Sequence, residues 1–237
     1  MGHRRLGGKW DMKKFDSIKL IENLDNHYLN SDLIYHYKKN RALIISILNA
    51  FQKTFNTKTL STKSYELIFT GLQHSFDTVY YEVTGINLIE MSAIIPELKE
   101  ILTQGLYNKH WRVRFNTVIV GSMYEDEALK ISFLKAGLND KSKRVVEKAC
   151  ELATFSEPVK NLFPHVRKVI KSLNDDVQGF INANMAISEK GYFLNKDKDG
   201  DITITIGITN GQSCFTVSKS ELANLGEQGV YNKYKQL

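Results

Sequence analysis

The sequence predicts a mainly α-helical chain of repeated two-helix units, finished by a small C-terminal antiparallel β-meander. Three observations carry that prediction. Between Ile94 and Ile187 a pattern recurs every thirty-odd residues, with the anchor leucines Leu106, Leu138 and Leu173 standing 32 and then 35 residues apart. A period in this range belongs to stacked helix pairs, none of which can bury its apolar face alone. Upstream, apolar residues fall three and four apart, the helical period. After Gly191 the period becomes two: Ile202, Ile204, Ile206 and Ile208 alternate with Thr203, Thr205, Gly207 and Thr209, as in a half-buried strand.

Three regions follow: a disordered leader over 1–14, a helical repeat region over 15–190 and a β cap over 191–237. Met1 to Asp11 is short, Gly-rich and basic, without periodicity, and Met12 is a plausible true start. From Phe15 the residues Ile18, Ile21 and Leu24 keep one helical face apolar. Ser31-Asp32 is a candidate N-cap for a second helix through Leu33, Ile34 and Tyr37. Another helix follows with Leu43, Ile44, Ile47, Leu48, Phe51 and Phe55, and a turn is expected at 56–58. Thr62 can cap the next, whose face is Tyr65, Ile68, Phe69 and Leu72. The run Val79-Tyr80-Tyr81-Glu82-Val83 has strand propensity, yet helical neighbours on both sides predict a helix over 76–90.

In the repeats, Pro96 suits a first helical turn, where its missing N–H costs no hydrogen bond. Glu97 and Glu100 complement the positive end of that helix. Leu98, Ile101 and Leu102 form its buried stripe, and the partner helix over 110–123 carries Val113, Val118 and Val120. The second unit runs from Asp126 to Leu138, turns at Asn139-Asp140 and returns through Val145, Val146, Ala149, Leu152 and Ala153. The third runs through Leu162, Phe163, Val166, Val169, Ile170 and Leu173, then returns through Phe180, Ile181, Ala183, Met185 and Ile187. In the cap, strands are expected near 192–197, 202–209 and 212–217. Asp199-Gly200 and Asn210-Gly211 are dipeptides that tight hairpin turns select. Ser218 or Ser220 can start a short helix over 221–225 that Gly226 stops.

The chain has 237 residues, 42% hydrophobic and 24% charged, ordinary values for a globular protein. Its apolar runs fall short of a membrane span and no signal peptide is evident, so a cytoplasmic location and no membrane partner are expected. Cys150 and Cys214 lie far apart without metal-type spacing. The net charge of +6 is concentrated: residues 104–172 hold 13 Lys/Arg against 7 Asp/Glu. Such a region suits an acidic protein or nucleic acid, although solvated helix faces in a Lys-rich chain account for the same excess.

The repeats resemble HEAT and HEAT-like repeats. The resemblance rests on the order apolar-apolar-Pro, a helix, Leu-x-Asp/Asn, four residues, then Val-Arg-x-x-small. Pro96 and Pro164 fall on the family's first-helix proline, and Asn108, Asp140 and Asp175 two residues after the anchor leucine. Arg114 matches its second-helix arginine, and Thr117 and Ala149 its small residue. Val146 and Ile181 depart from that arginine, and the middle unit lacks the proline. The match covers 94–188, with the earlier helices as degenerate units. It implies a HEAT-like α-α superhelix whose second helices line a concave binding surface, with Arg114 and Asp140 as a structural ladder pair between repeats. It further implies a non-enzymatic scaffold binding a protein partner, as adaptors and toxin-neutralising immunity proteins do.

For chemistry, the sharpest local motif is Asn195-x-Asp197-x-Asp199-Gly200, like the first half of an EF-hand loop. Position twelve is Ile206 in place of a bidentate glutamate, so a charged hairpin turn is the better reading and no metal or cofactor is expected. The histidines lack ligand spacing, and neither a nucleophile elbow nor a Walker loop appears. Cys150, on an apolar helix face, reads as a buried structural thiol. The best ligand patch is Lys109, His110, Trp111 and Arg112 at one helix start, with Lys141, Lys143, Arg144 and Lys148 at the next. Basic groups beside an aromatic can neutralise phosphates and stack on a base. The alternative function is therefore a nucleic-acid binder or an alkylpurine DNA glycosylase, some of which are built from HEAT-like repeats. Those enzymes use an aspartate framed by aromatics, which this sequence does not place.

Overall fold

The computed structural model describes residues 14–155, 157–196, 200–208 and 211–236. The expected leader, apart from Lys14, lies outside them, as do Asp197 and Asp199 of the acidic turn and Asn210 of the second turn. The described chain is mainly α with one three-stranded antiparallel sheet near its C-terminus, the class the sequence predicts. It divides into two compact units, 1–148 and 149–237.

In the first unit, helix α1 (Ser17–Tyr28) starts at Asp16, whose carboxylate accepts from the Ile18 and Lys19 N–H groups. Such a cap is worth about 1 kcal/mol because it satisfies orphan donors. The two helices expected after Ser31 are one, α2 (Ile34–Thr57). Lys38 to Ala42 contains neither Gly nor Pro, so nothing stops the first before the second begins. Lys58 ends α2 in the left-handed region at φ 54°. Ser61, and not Thr62, caps α3 (Thr62–Gln73), accepting from the Ser64 N–H.

The β-prone run is helical as expected, but as a π-helix over Thr78–Gly85 that continues into α4 (Ile86–Ser92). The Ile86 N–H reaches the Tyr81 carbonyl, five residues back. A ladder of this type leaves backbone groups out of step where it meets an α-helix, and the Asn87 side-chain amide donates to the Val83 carbonyl at 2.5 Å there. The wide turn buries Val79, Tyr80, Val83 and Thr84 together.

The first repeat is α5 (Glu97–Leu106) and α6 (Trp111–Gly121); the second is α7 (Glu127–Leu138) and α8 (Lys143–Thr154). Leu98, Ile101 and Leu102 are fully buried, each worth about 1.5–3 kcal/mol of transfer free energy. Asp126 caps α7 through the Leu129 N–H. Helix α5 packs on α3 and on α7, and α6 packs against α5, α7 and the π-helix, a repeat-like layering around one core. Gly121 makes the α6–α7 contact possible, since a Cβ there would lie 2.1 Å from the Phe133 ring.

In the second unit, the single helix expected over 162–173 is broken: a 3-10 turn, α9 (Phe163–Val169) and another 3-10 turn. Asn174 then caps α10 (Asp175–Lys190) through the Val177 N–H. Ile181 and Met185 are buried as expected, but Phe180 is 49% exposed, its ring beside the exposed Phe155 ring. The sheet has the order β1 (Tyr192–Lys196), β2 (Ile202–Ile208), β3 (Gly211–Val217), pairing Ile204 with Leu194 and Phe215. Alternation puts Ile202, Ile204 and Ile206 on the buried face. The short helix expected after Ser218, with Ser218 as its N-cap, is the first segment of α11 (Lys219–Tyr234), a span of two helical segments. At Gly226 (φ 64°, ψ 172°) the backbone leaves the helical region, so the first segment stops there as expected, and a second helical segment follows up to Tyr234. The second segment is retained because Val230, Tyr231 and Tyr234 pack on the sheet, Tyr231 stacking on Tyr192 and Tyr234 on Phe215.

Candidate anion-binding site

The candidate patch forms where α6 and α8 begin. Arg114, two residues from Arg112 on α6, is not available to a ligand. Its guanidinium donates to both carboxylate oxygens of Asp140 at 2.6 and 2.9 Å, and to the Asn108 and Lys109 carbonyls. The two side chains are 6% and 8% exposed. Hydrogen bonding to Asp140 holds the guanidinium above its ordinary range. Asp140 also accepts from the Ser142 N–H, so the pair ties the turn before α6 to the turn before α8. This is the ladder contact the resemblance implies.

Arg112 and Arg144 are different. Both are exposed, and both guanidinium groups lie over the half-buried Trp111 ring, at 4.5 and 4.8 Å from its centroid. Trp111 in turn meets Phe115 edge to face. Among the described residues neither guanidinium has a carboxylate partner. Lys109, His110, Lys141 and Lys143 are exposed in the preceding turns and at the start of α8, and Lys148 is half-buried one turn further on. Of the eight sequence-selected residues, Arg112 and Arg144 thus both contact Trp111, and the rest flank them.

The helix dipole makes the arrangement costly. A helix N-terminus favours acids in its first turn and disfavours bases, by about 0.3–1 kcal/mol each. Helices α5, α7 and α10 follow that rule with Glu97 and Glu100, Glu127, and Asp175 and Asp176. Helices α1 and α3 lack a first-turn acid and carry one lysine each, Lys19 and Lys63. Helices α6 and α8 also lack one but concentrate the most basic charge there, with Arg112, Arg114, Lys143 and Arg144. Arg114 is neutralised by Asp140; the other three are not. Within the fold Arg112 and Arg144 gain only the face of the Trp111 ring, and a local rule broken with so little return is where function is expected.

Arg112 also acts on one buried residue outside the sequence-selected set, and further polar clusters lie elsewhere in the same unit. The charge of Arg112 reaches the buried Tyr80 hydroxyl, which burial and the neighbouring Asp77 carboxylate hold above the ordinary phenol range. Tyr28 donates to both oxygens of Glu82 at 2.8 and 2.7 Å, and stacks on Tyr37. Tyr37 and Arg41 converge on Asp25, whose carboxyl the Arg41 hydrogen bond holds below the ordinary range. The buried Asn116 side chain donates to the Leu72 and His74 carbonyls, pinning the 74–77 loop to α6. The strand-like run at 79–83 carried no periodic signal pointing to this face; the cluster Tyr80-Tyr81-Glu82 after Asp77 was the available clue.

Among the described residues no group of His, Cys, Asp and Glu side chains could hold a metal ion, and no helix is long and apolar enough to cross a membrane. Cys150 is buried and Cys214 exposed, and neither is in a disulfide. Comparison with family models, with characterised proteins and with solved structures returns no match to this chain.

Proposed function

We propose that this chain is a non-enzymatic, HEAT-like repeat protein that binds an acidic partner protein through the basic edge at the starts of α6 and α8, in an adaptor or immunity-type role. The observation that carries this reading is the pair of un-neutralised guanidinium groups held over Trp111, against the dipole of their own helices. Planar forks pre-placed on an aromatic surface lose little freedom when they grip carboxylates. Nucleic acid offers phosphates to the same groups. Stacking a base, however, requires an open ring, and the Trp111 ring is already covered by two cations.

The test is fluorescence anisotropy with a labelled Glu-rich peptide, a duplex DNA and a single-stranded DNA at low and moderate salt. The peptide is expected to bind, to weaken with salt, and to lose at least about tenfold in affinity in the Arg112→Ala/Arg144→Ala double variant, a loss of about 1.4 kcal/mol. Tighter, steeply salt-dependent binding of either DNA, lost in the same variant, would replace the protein-partner reading with the nucleic-acid one.

A further inference from the structure

The open arginines are one end of a longer strip. Tyr35, on the first turn of α2, is 71% exposed and meets His36 at 5.6 Å between ring centroids. His36 meets Phe76 at 5.8 Å, in the loop between α3 and the π-helix. The Phe76 N–H donates to His74 Nδ1 at 3.0 Å. Burial, and then the charge of Lys39 on α2, disfavour protonation of His74. The loop is bound to α6 by Asn116, which stands one helical turn after Arg112 on the same side of that helix. Ring contacts thus link Tyr35, His36 and Phe76, and the loop carrying Phe76 is tied to α6. There Arg112 and the loop's Asp77 both act on Tyr80, and Arg112 shares the Trp111 ring with Arg144.

We infer that this strip, from the first turns of α2 across the 74–77 loop to the starts of α6 and α8, is a single footprint for an extended acidic peptide segment of a partner protein. The inference rests on the acidic-partner reading and adds the far half of the site to it. Two features select a peptide over a phosphate chain. Cations alternate with apolar rings at Tyr35, Phe76 and Trp111, which suits alternating acidic and apolar side chains. The exposed Asp77 carboxylate also lies in the strip, beside Tyr80. A nucleic-acid strand would carry a phosphate past it at every step, whereas a peptide can place a neutral residue or a backbone N–H there. Three helix-to-helix steps of about 8–10 Å make roughly 24–30 Å. An extended chain covers that with about eight or nine residues at ~3.3 Å each.

The experiment compares a twelve-residue peptide, Glu-Ala-Glu-Phe repeated three times, with its four-residue unit, the latter measured by competition. Both are titrated into the full chain and into Lys39→Glu, Tyr35→Ala and Arg112→Ala/Arg144→Ala variants, whose thermal unfolding is recorded alongside. The long peptide should bind at least about tenfold tighter than the short one. Lys39→Glu and Tyr35→Ala, both at exposed positions, should each remove several-fold of the long peptide's affinity and leave that of the short one unchanged. The double arginine variant should weaken both. If Lys39→Glu and Tyr35→Ala leave the long peptide unaffected while the arginine variant weakens it, the footprint ends at α6 and the inference falls, with the acidic-partner reading intact. If the arginine variant weakens neither peptide, both fall. A twelve-nucleotide single strand that binds more tightly than the long peptide, and loses affinity in Lys39→Glu, would also overturn the peptide assignment.

Discussion

Arg114 and Arg112 lie two residues apart on one helix and do opposite things. Arg114 is buried, bidentate to Asp140 and further bonded to two carbonyls, so its charge is used up inside the protein. Arg112 is exposed, shares the Trp111 ring with Arg144 and has no carboxylate partner among the described residues. The difference teaches that the basic excess of this region is two populations of charge. One joins consecutive repeats; the other is left open at the dipole's unfavourable end.

The largest effect expected is on the closed pair. Arg114→Ala leaves Asp140 buried without its partner and should cost about 3–5 kcal/mol, read as a lowered midpoint in urea unfolding. Arg112→Ala should stay within about 0.5 kcal/mol. Equal losses would erase the distinction between the two arginines. The frame beneath both is tested by Gly121→Ala, which drives a methyl into Phe133 and should cost about 1–3 kcal/mol by overpacking. No change in stability there would mean that α6 and α7 are not in close contact.

Arg112→Glu sharpens the contrast further. By complementing the helix dipole it should raise stability by a few tenths of a kcal/mol, up to about 1 kcal/mol, while lowering affinity for acidic peptides. A variant that lost stability would show that Arg112 belongs to the fold. The smallest effect concerns pH. Burial and Lys39 hold the His74 pKa below the ordinary 6.5, so near that pH the unfolded chain takes up a proton that the native state refuses. The stabilising contribution is then full above the ordinary histidine range and is lost as pH falls through the folded value. His74→Gln should flatten the decline in urea midpoint below neutral pH; an unchanged slope would remove His74 from that account.

Much of the architecture was legible because it is periodic. Leu98, Ile101, Leu102, Val145, Ala149 and Ile204 stand where helical and strand periods put them, all buried. The departures share one physical feature: they depend on partners distant in sequence. The π-helix over 78–85 forms where Val79, Tyr80 and Val83 must all face the core. A second helical segment, not expected from the sequence, follows the break at Gly226 because Tyr231 and Tyr234 find aromatic partners on the sheet. Phe180 holds the register position of Val113 and Val145 but is half exposed, with its ring beside that of the exposed Phe155.

The candidate site was half legible. Trp111, Arg112 and Arg144 could be picked out by composition and repeat register, because equivalent positions in successive repeats become neighbours. That Arg112 and Arg144 share one ring could not, since nothing in a one-dimensional pattern fixes side-chain direction. Tyr35, His36 and Phe76 were invisible as a set, because the loop that joins them is positioned by Asn116, more than forty residues away.

The most direct test of the open-charge account is a charge swap. The Arg112→Glu/Arg144→Glu double variant is titrated by anisotropy with a Glu-rich peptide and with its Lys-rich counterpart, beside the unaltered chain. The account predicts that preference reverses: the unaltered chain takes the acidic peptide, and the variant loses it and gains the basic one by at least about tenfold. A variant that binds the acidic peptide as tightly as the unaltered chain would contradict the assignment of this edge as the binding surface.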